Sequence, residues 1–188
     1  SKNDTPKIFD FRGVKLGVPI CEDIWMDNVC RELKDQGCNL IISPNGSPFD
    51  KYKINQRKII IEDRVTDVQI PFIYVNQVGG QDELVFDGSS LVMNGNKEIV
   101  FEAPSWDENK SVVEFDIDQN NFKNLHFDKA KTSDLENIYM ATVIGLRDYV
   151  TKNNFPGVIL GLSGGIDSAF CAAVAVDALG KDKVNAYM

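Results

Sequence analysis

The sequence predicts an α/β fold, and the pattern of apolar residues in its first 75 positions is the main reason. Apolar residues alternate with other residues over 14–20, which indicates a β-strand, and apolar residues at helical spacing follow over 26–33. Gly37 is the expected end of that helix. A strand, a helix and a strand are then predicted over 39–43, 54–65 and 70–75. The alternation of strands and helices is typical of a layered α/β protein.

A second strand–helix–strand unit is predicted at the other end of the chain. The apolar strand 158–162 leads through a glycine-bearing loop into a helix over 168–179, and a strand follows over 184–188. Before it, Ser133 to Glu136 has the capping-box pattern that starts a helix, which we expect to run to Lys152.

The middle of the chain predicts short β-strands. They are expected over 84–86, 89–93, 98–102 and 111–117, with a turn at Gly79-Gly80-Gln81 and a hairpin at Asn94-Gly95-Asn96. We therefore predict a first domain over 1–117, a linker over 118–132 and a second domain over 133–188. Both domains expose strands that need further partners, so we expect an internal fragment of a larger two-domain enzyme.

Composition excludes several classes of function. The net charge of −8, with no cluster of Lys or Arg, argues against a nucleic-acid binder. The longest apolar run, Ala169 to Val176, is far too short to cross a membrane. Four cysteines without a CxxC pair, and His126 as the sole histidine, make a structural zinc site improbable. Reduced thiols in the cytoplasm fit this cysteine usage.

The loop after strand 158–162 has the properties of a phosphate-binding site. Its glycines let backbone N–H groups approach an anion, its serines add hydroxyl donors, and it precedes a helix N-terminus. An acid in such a loop, Asp167, suits Mg²⁺ beside phosphates. The loop has neither the lysine of a Walker A motif nor a G-x-G-x-x-G pattern. The candidate ATP-binding residues are Gly161, Leu162, Ser163, Gly164, Gly165, Ile166, Asp167 and Ser168.

The string SGGIDS within this loop resembles the PP-loop, SGGxDS, of the ATP pyrophosphatase superfamily. The resemblance implies that ATP is cleaved to AMP and pyrophosphate while a carboxylate or carbonyl group is adenylated. It also implies that Asp167 holds Mg²⁺. A nitrogen or sulfur nucleophile then attacks the adenylate.

Cys21 is the candidate nucleophile of the first domain. It follows the first predicted strand directly and precedes Glu22 and Asp23, whose carboxylates would raise rather than lower the pKa of a thiol. From spacing alone, an inert core thiol is the more common outcome, as it is for Cys30, Cys38 and Cys171.

The string GVPICEDIW around Cys21 resembles the nucleophile elbow of the nitrilase superfamily. The resemblance implies a Glu–Lys–Cys triad in which Cys21 forms a thioester and the backbone N–H of Glu22 contributes to the oxyanion hole. The family's Glu and Lys lie upstream of the cysteine, and no residue of this chain matches them. We expect them before Ser1.

The two motifs together resemble the glutamine-dependent NAD⁺ synthetase family. Asn45-Gly46-Ser47-Pro48-Phe49 and Lys53 resemble that family's glutamine-binding segment, which assigns Ser47 and Lys53 to glutamine. For Arg57 and Asn76 the sequence leaves two roles open, one in the site and one purely structural.

The resemblance implies the C-terminal half of an α-β-β-α nitrilase-like sandwich followed by the first βαβ of a Rossmann-like PP-loop domain. It implies glutamine, ATP and deamido-NAD⁺ as substrates and Mg²⁺ as cofactor. It also implies a cytoplasmic homo-oligomer and contacts to deamido-NAD⁺ beyond Met188.

Three alternatives remain at this stage. Another PP-loop amidotransferase would carry a different glutaminase domain, which the string CEDIW disfavours. A stand-alone carbon–nitrogen hydrolase is disfavoured by the glycine loop. The chain could also be an inactive fragment of its parent enzyme.

Overall fold

The structure, a computed structural model, describes residues 6–123 and 132–188. Its centre is a six-stranded mixed sheet in the order β1-β2-β3-β4-β7-β8. Strands β2, β3 and β4 run parallel to one another, and β1, β7 and β8 join antiparallel. The strands of this sheet are β1 Ile8–Phe11, β2 Val14–Gly17, β3 Leu40–Asn45, β4 Phe72–Asn76, β7 Leu91–Met93 and β8 Ile99–Glu102.

Two helices cover one face of this sheet: α1 (Asp27–Asp35) and α2 (Lys53–Val68). Apolar side chains buried between the helices and the sheet form the largest core, and burying them provides most of the drive for this packing. Its members include Ile24, Cys30, Leu33, Ile41, Ile61, Val65, Val68 and Phe72. Cys30 and Cys38 are therefore core thiols, as expected from their spacing, whereas the same expectation for Cys171 is wrong because that thiol is exposed.

Gly37 ends α1 as the sequence predicts. It has a φ of +83°, and the N–H groups of Gly37 and Cys38 donate to the carbonyls of Lys34 and Leu33. This pair of bonds is a Schellman motif, which needs a left-handed residue that glycine provides without a steric cost.

The opposite face of the sheet carries a second, smaller core. Val14, Leu40, Val92 and Val100 pack there with Phe122. Phe122 belongs to β10 (Asn121–Phe122), which pairs with β9 (Phe115–Asp116). The first part of the predicted linker thus forms a hairpin on the first domain. The rest of that segment, with His126, lies outside the described residues.

The predicted turn at Gly79-Gly80-Gln81 is wrong. These residues lie in β5 (Val78–Gln81), which pairs antiparallel with β6 (Leu84–Asp87), and the chain turns at the two residues between these strands. Of the strand predicted over 111–117, only Phe115–Asp116 forms. The Asn94-Gly95-Asn96 hairpin is confirmed, because β7 and β8 pair across it.

The second unit contains α3 (Asp134–Lys152), β11 (Val158–Gly161), α4 (Ile166–Leu179) and β12 (Val184–Tyr187). Ser133 caps α3: its hydroxyl accepts from the Glu136 N–H and its own N–H donates to the Glu136 carboxylate, which confirms the predicted box. Strands β11 and β12 are parallel. Helices α3 and α4 pack through a core that contains Val143, Val174 and Ala178.

No helix within 6–123 or 132–188 combines the length and the apolar character that crossing a bilayer requires.

Candidate active site

Cys21 lies at a tight bend after the first inner strand. Strand β2 ends at Gly17, three residues earlier than predicted, because Pro19 has no N–H to donate to a sheet ladder. Cys21 has a left-handed φ of +50° and begins a 3-10 helix, Cys21–Trp25. Such a φ is strained for a non-glycine residue and is often found at functional sites. Cys21 is partly exposed, so it is not a core thiol.

Asp23 holds this bend from both sides. Its carboxylate accepts a hydrogen bond of 2.8 Å from the N–H of Ile20, and its own N–H donates to the carbonyl of Ile20. The N–H of Glu22 lies in the first turn of the 3-10 helix, where N–H groups have no acceptor within the helix. It is therefore suited to bind an oxyanion beside the Cys21 thiol.

A cleft of about 440 Å³ opens at Cys21, and all four residues predicted for glutamine chemistry line it. The cleft lies where the 3-10 helix meets the loop after β3 and the first residue of α2. Its lining residues are Cys21, Glu22, Trp25, Met26, Asn45, Gly46, Ser47, Pro48 and Lys53. The structure thus brings together a thiol, a lysine and a hydroxyl that are up to 32 positions apart in the sequence.

Lys53 reaches the cleft from the first turn of α2. Its Nζ lies 4.6 Å from the centroid of the Trp25 ring, which is a cation–π contact. Within residues 6–123 and 132–188 no carboxylate pairs with this ammonium group, which the aromatic face holds at the cleft. A substrate carboxylate could therefore bind to this lysine.

Ser47 is held rigidly in the wall of the cleft. Its N–H donates to Asn76 Oδ1 over 2.9 Å, and its carbonyl accepts from Asn76 Nδ2 and from the Arg57 guanidinium. Its Oγ accepts a 3.0 Å bond from Arg57 Nε. The Ser47 hydroxyl also interacts with the phenol of Tyr74.

Arg57 supports this wall through a fully satisfied guanidinium group. Besides Ser47, it donates to the Pro48 carbonyl and makes two bonds of 2.8 and 2.9 Å to the carboxylate of Asp87. The side chains of Arg57 and Asp87 are 2% and 0% exposed. Ser89 also donates to Asp87, and Tyr74 lies beside the pair, where burial raises the pKa of its phenol.

The glycine loop forms a separate site. Strand β11 ends at Gly161, and α4 begins at Ile166, two residues earlier than predicted. Ile166, Asp167 and Ser168 are thus the first turn of α4 rather than loop. The Ser168 hydroxyl explains this, since it donates to the carbonyl of Gly165 over 3.0 Å and accepts from the N–H of Ser163.

The loop is open to a ligand. Gly164 has a φ of +82°, and a Cβ placed on it or on Gly161 would meet no atom within 4 Å. Exposed N–H groups at the first turn of α4 face solvent, where the helix dipole favours an anion. These features fit a phosphate group.

Asp167 fits Mg²⁺ when phosphates supply the other ligands. Its side chain is exposed in the first turn of α4. In the described part of the chain, no group of three His, Cys, Asp or Glu side chains could hold a metal ion by itself. Mg²⁺ commonly binds one or two carboxylates together with substrate phosphates and water, so the single carboxylate suffices.

Comparison with known proteins identifies the two units. The family model described as carbon-nitrogen hydrolase matches residues 1–126, more than half of the chain. The chain belongs to the carbon-nitrogen hydrolase family. A second family model, described as NAD synthase, matches residues 138–188.

Curated relatives named glutamine-dependent NAD(+) synthetase match nearly the whole chain. The protein from Acinetobacter baylyi is 43% identical over 182 residues, which are 96% of this chain and 33% of the relative. The protein from Rhodobacter capsulatus is 40% identical over 178 residues, 93% of this chain and 32% of the relative. The chain spans about a third of the length of these relatives.

Solved structures confirm the predicted fold class. The glutamine-dependent NAD+ synthetase from Acinetobacter baumannii, solved in complex with ADP, superposes with a TM-score of 0.92 at 42% identity, over 99% of this chain and 35% of that one. The carbon-nitrogen hydrolase from Helicobacter pylori G27 shares the fold of the first unit, with a TM-score of 0.52 at 23% identity over 55% of this chain and 41% of that one.

Two residues of the site were not singled out from the sequence: Asp87 and Trp25. Arg57 and Asn76, which the sequence left open, hold Ser47 in the cleft wall. One signal for Arg57 was available, because it occupies the buried stripe of α2 with Ile61, Val65 and Val68. An arginine on such a stripe needs a buried acid as partner.

Proposed function

We propose that this chain is part of a glutamine-dependent NAD⁺ synthetase, which takes ammonia from glutamine and uses it, with ATP, to amidate deamido-NAD⁺. The observation that carries the proposal is the presence of two sites on one chain. One is the cleft that joins Cys21, Ser47 and Lys53, and the other is the open glycine loop before α4.

In the first site, Cys21 Sγ attacks the carboxamide carbon of glutamine, and the N–H of Glu22 stabilises the oxyanion. The C–N bond breaks, ammonia leaves, and water then hydrolyses the glutamyl thioester to glutamate. Ser47 and Lys53 bind the polar groups of glutamine. The triad's Glu and Lys are expected before Ser1.

In the second site, N–H groups and hydroxyls of residues 161–168 bind the phosphates of ATP, and Asp167 holds Mg²⁺, which neutralises phosphate charge when bound. A carboxylate oxygen of deamido-NAD⁺ attacks the α-phosphorus, and pyrophosphate leaves. Ammonia then attacks the carbonyl carbon of the adenylate and AMP leaves. The product is NAD⁺.

Transfer of ammonia inside the protein suits this chemistry. Ammonia in neutral water is mostly ammonium, which is not a nucleophile, and a passage that excludes water keeps it reactive. We further propose a cytoplasmic homo-oligomer with small-molecule substrates only. The four cysteines are all free thiols in the structure, which fits a reducing compartment.

Two measurements on the full-length protein test the proposal. Adding glutamine should release glutamate, and ATP–pyrophosphate exchange should be stimulated by deamido-NAD⁺ but not by aspartate or a purine nucleotide. Glutamate release without any such exchange would instead support a stand-alone amidase. Exchange stimulated by another acceptor would indicate a different PP-loop amidotransferase.

A further inference from the structure

Helix α3 contacts both units of the chain through different faces. Tyr139, Val143 and Leu146 pack against α4, which begins at the glycine loop. Asn137 and Asp148, both buried, lie 11 residues apart and therefore on a common face, which points to the first unit. The helix thus lies between the phosphate loop and the β-strands behind the cleft.

The first polar contact of this face is with Trp106. The indole Nε1 donates to Asn137 Oδ1 over 2.9 Å, and the two residues are 3% and 8% exposed. The Trp106 N–H donates to the carbonyl of Asp87, and its ring meets Phe49 edge-on with centroids 5.0 Å apart. Phe49 lies two residues after Ser47, so Trp106 joins α3 to the cleft wall.

The second polar contact is with the β5–β6 hairpin. Asp148 Oδ2 accepts a 2.8 Å bond from the Gly80 N–H, and Lys152 Nζ donates to the Gly80 carbonyl. A Cβ on Gly80 would lie 3.3 Å from the backbone of Gly145, so a side chain there would push the helix away. The close approach explains why this strand contains glycines.

The hairpin leads from α3 directly to the residues that hold Ser47. It begins two residues after Asn76 and ends at Asp87. Asn76 binds the backbone of Ser47, and Asp87 binds the guanidinium of Arg57. The contacts at Gly80 and Trp106 therefore constrain the cleft wall from behind.

We propose, on the basis of the proposed function, that Asn137 and Asp148 are positioning residues for glutamine. They hold Trp106 and the β5–β6 hairpin, and these hold the segment from Ser47 to Phe49 in the geometry that binds the substrate. Neither residue touches glutamine. The cleft of the first unit is complete only when α3 of the second unit is docked against it.

The test compares two nitrogen sources in the full-length protein. Asn137→Ala and Asp148→Ala are expected to lower kcat/KM for glutamine about tenfold, mainly through KM, as the loss of a buried hydrogen bond implies. NAD⁺ formation from ammonium should stay within about twofold, because α4, which follows the phosphate loop, packs on the other face of α3. Ammonium activity thus serves as an internal measure of folding.

Matched controls change the same residue types away from the hairpin. Asp177→Ala removes the acceptor of the Tyr139 hydroxyl on α4, and Asn153→Ala removes a bond at the exposed end of α3. Both should leave the glutamine KM unchanged. If Asp148→Ala does not fold, Trp106→Phe removes the indole donor while retaining an aromatic ring beside Phe49, and it should raise the glutamine KM as well.

Three results would overturn the inference: an unchanged glutamine KM in the variants, a parallel loss of glutamine and ammonium activity, or an equal effect of the controls. Failure of the proposed function is distinguishable from these, because then the unaltered protein would form no NAD⁺ from either nitrogen source.

Discussion

Because the ion pair behind the cleft is buried, we expect two chemically identical substitutions to differ strongly in the free energy of unfolding that they cost. Asp87→Asn removes the charge that compensates Arg57, and the guanidinium then stays almost completely buried. Asp67→Asn removes a partner of Arg31, whose side chain is 55% exposed and which retains Asp27 as a second partner. Both changes remove one carboxylate charge opposite an arginine, but only the first leaves an uncompensated charge inside the protein.

The magnitude follows from burial and hydrogen bonding. Removing one partner of a buried pair costs about 3–5 kcal/mol, whereas an exposed pair contributes about 0–1 kcal/mol. An asparagine at position 87 can accept one of the two bonds from Arg57, but its NH₂ group would face the guanidinium donors. We therefore expect a loss of about 3 kcal/mol or more for Asp87→Asn and less than about 1 kcal/mol for Asp67→Asn.

Urea unfolding of the full-length protein, followed by tryptophan fluorescence, measures both losses. Trp106 is bonded to the backbone of Asp87 and Trp25 lies in the cleft, so this region contributes to the signal. Equal midpoint shifts for the two variants would refute the assignment of Arg57 and Asp87 as a buried pair that supports the cleft.

Three further predictions rest on single features. Burial raises the pKa of Cys30 to about 11, so iodoacetamide at pH 8 should spare it and label the exposed Cys171, as peptide mass spectrometry would show. Burial alone would raise the pKa of Asp148, but the Gly80 N–H and Arg147 outweigh it and lower that pKa. Its contribution to stability is therefore present above pH ~4 and lost at lower pH. Asp148→Asn should make the urea midpoint less dependent on pH between about 2.5 and 5. Gly164→Ala should weaken ATP binding in calorimetry, because alanine is strained by about 1–2 kcal/mol at a left-handed φ.

Local signals in the sequence were sufficient to predict where several helices begin or end. The bounds of α3 are those predicted, because a capping box and a run of helix breakers act within a few residues of each end. Gly37 likewise ends α1 through bonds to its own last turn. The assignment of Cys21, Ser47 and Lys53 to one site came from a family resemblance. The three residues line one cleft, and their roles toward glutamine stay a prediction.

Tertiary contacts decided what the sequence did not reveal. Gly79 and Gly80 indicate a turn, but they form a strand because α3 approaches too closely for side chains. The start of α4 was missed because the Ser168 hydroxyl, not a conventional N-cap residue, bonds the preceding loop. Arg57 and Asp87 are 30 positions apart, and no local pattern pairs them.

The central claim is that one chain supplies nitrogen at Cys21 and consumes it at a site that contains the glycine loop. Cys21→Ala in the full-length protein tests it most directly, with NAD⁺ formation measured once with glutamine and once with ammonium. We predict that glutamine no longer supports NAD⁺ formation while ammonium supports it at an unchanged rate. Continued turnover with glutamine, or loss of both activities together, would contradict the account.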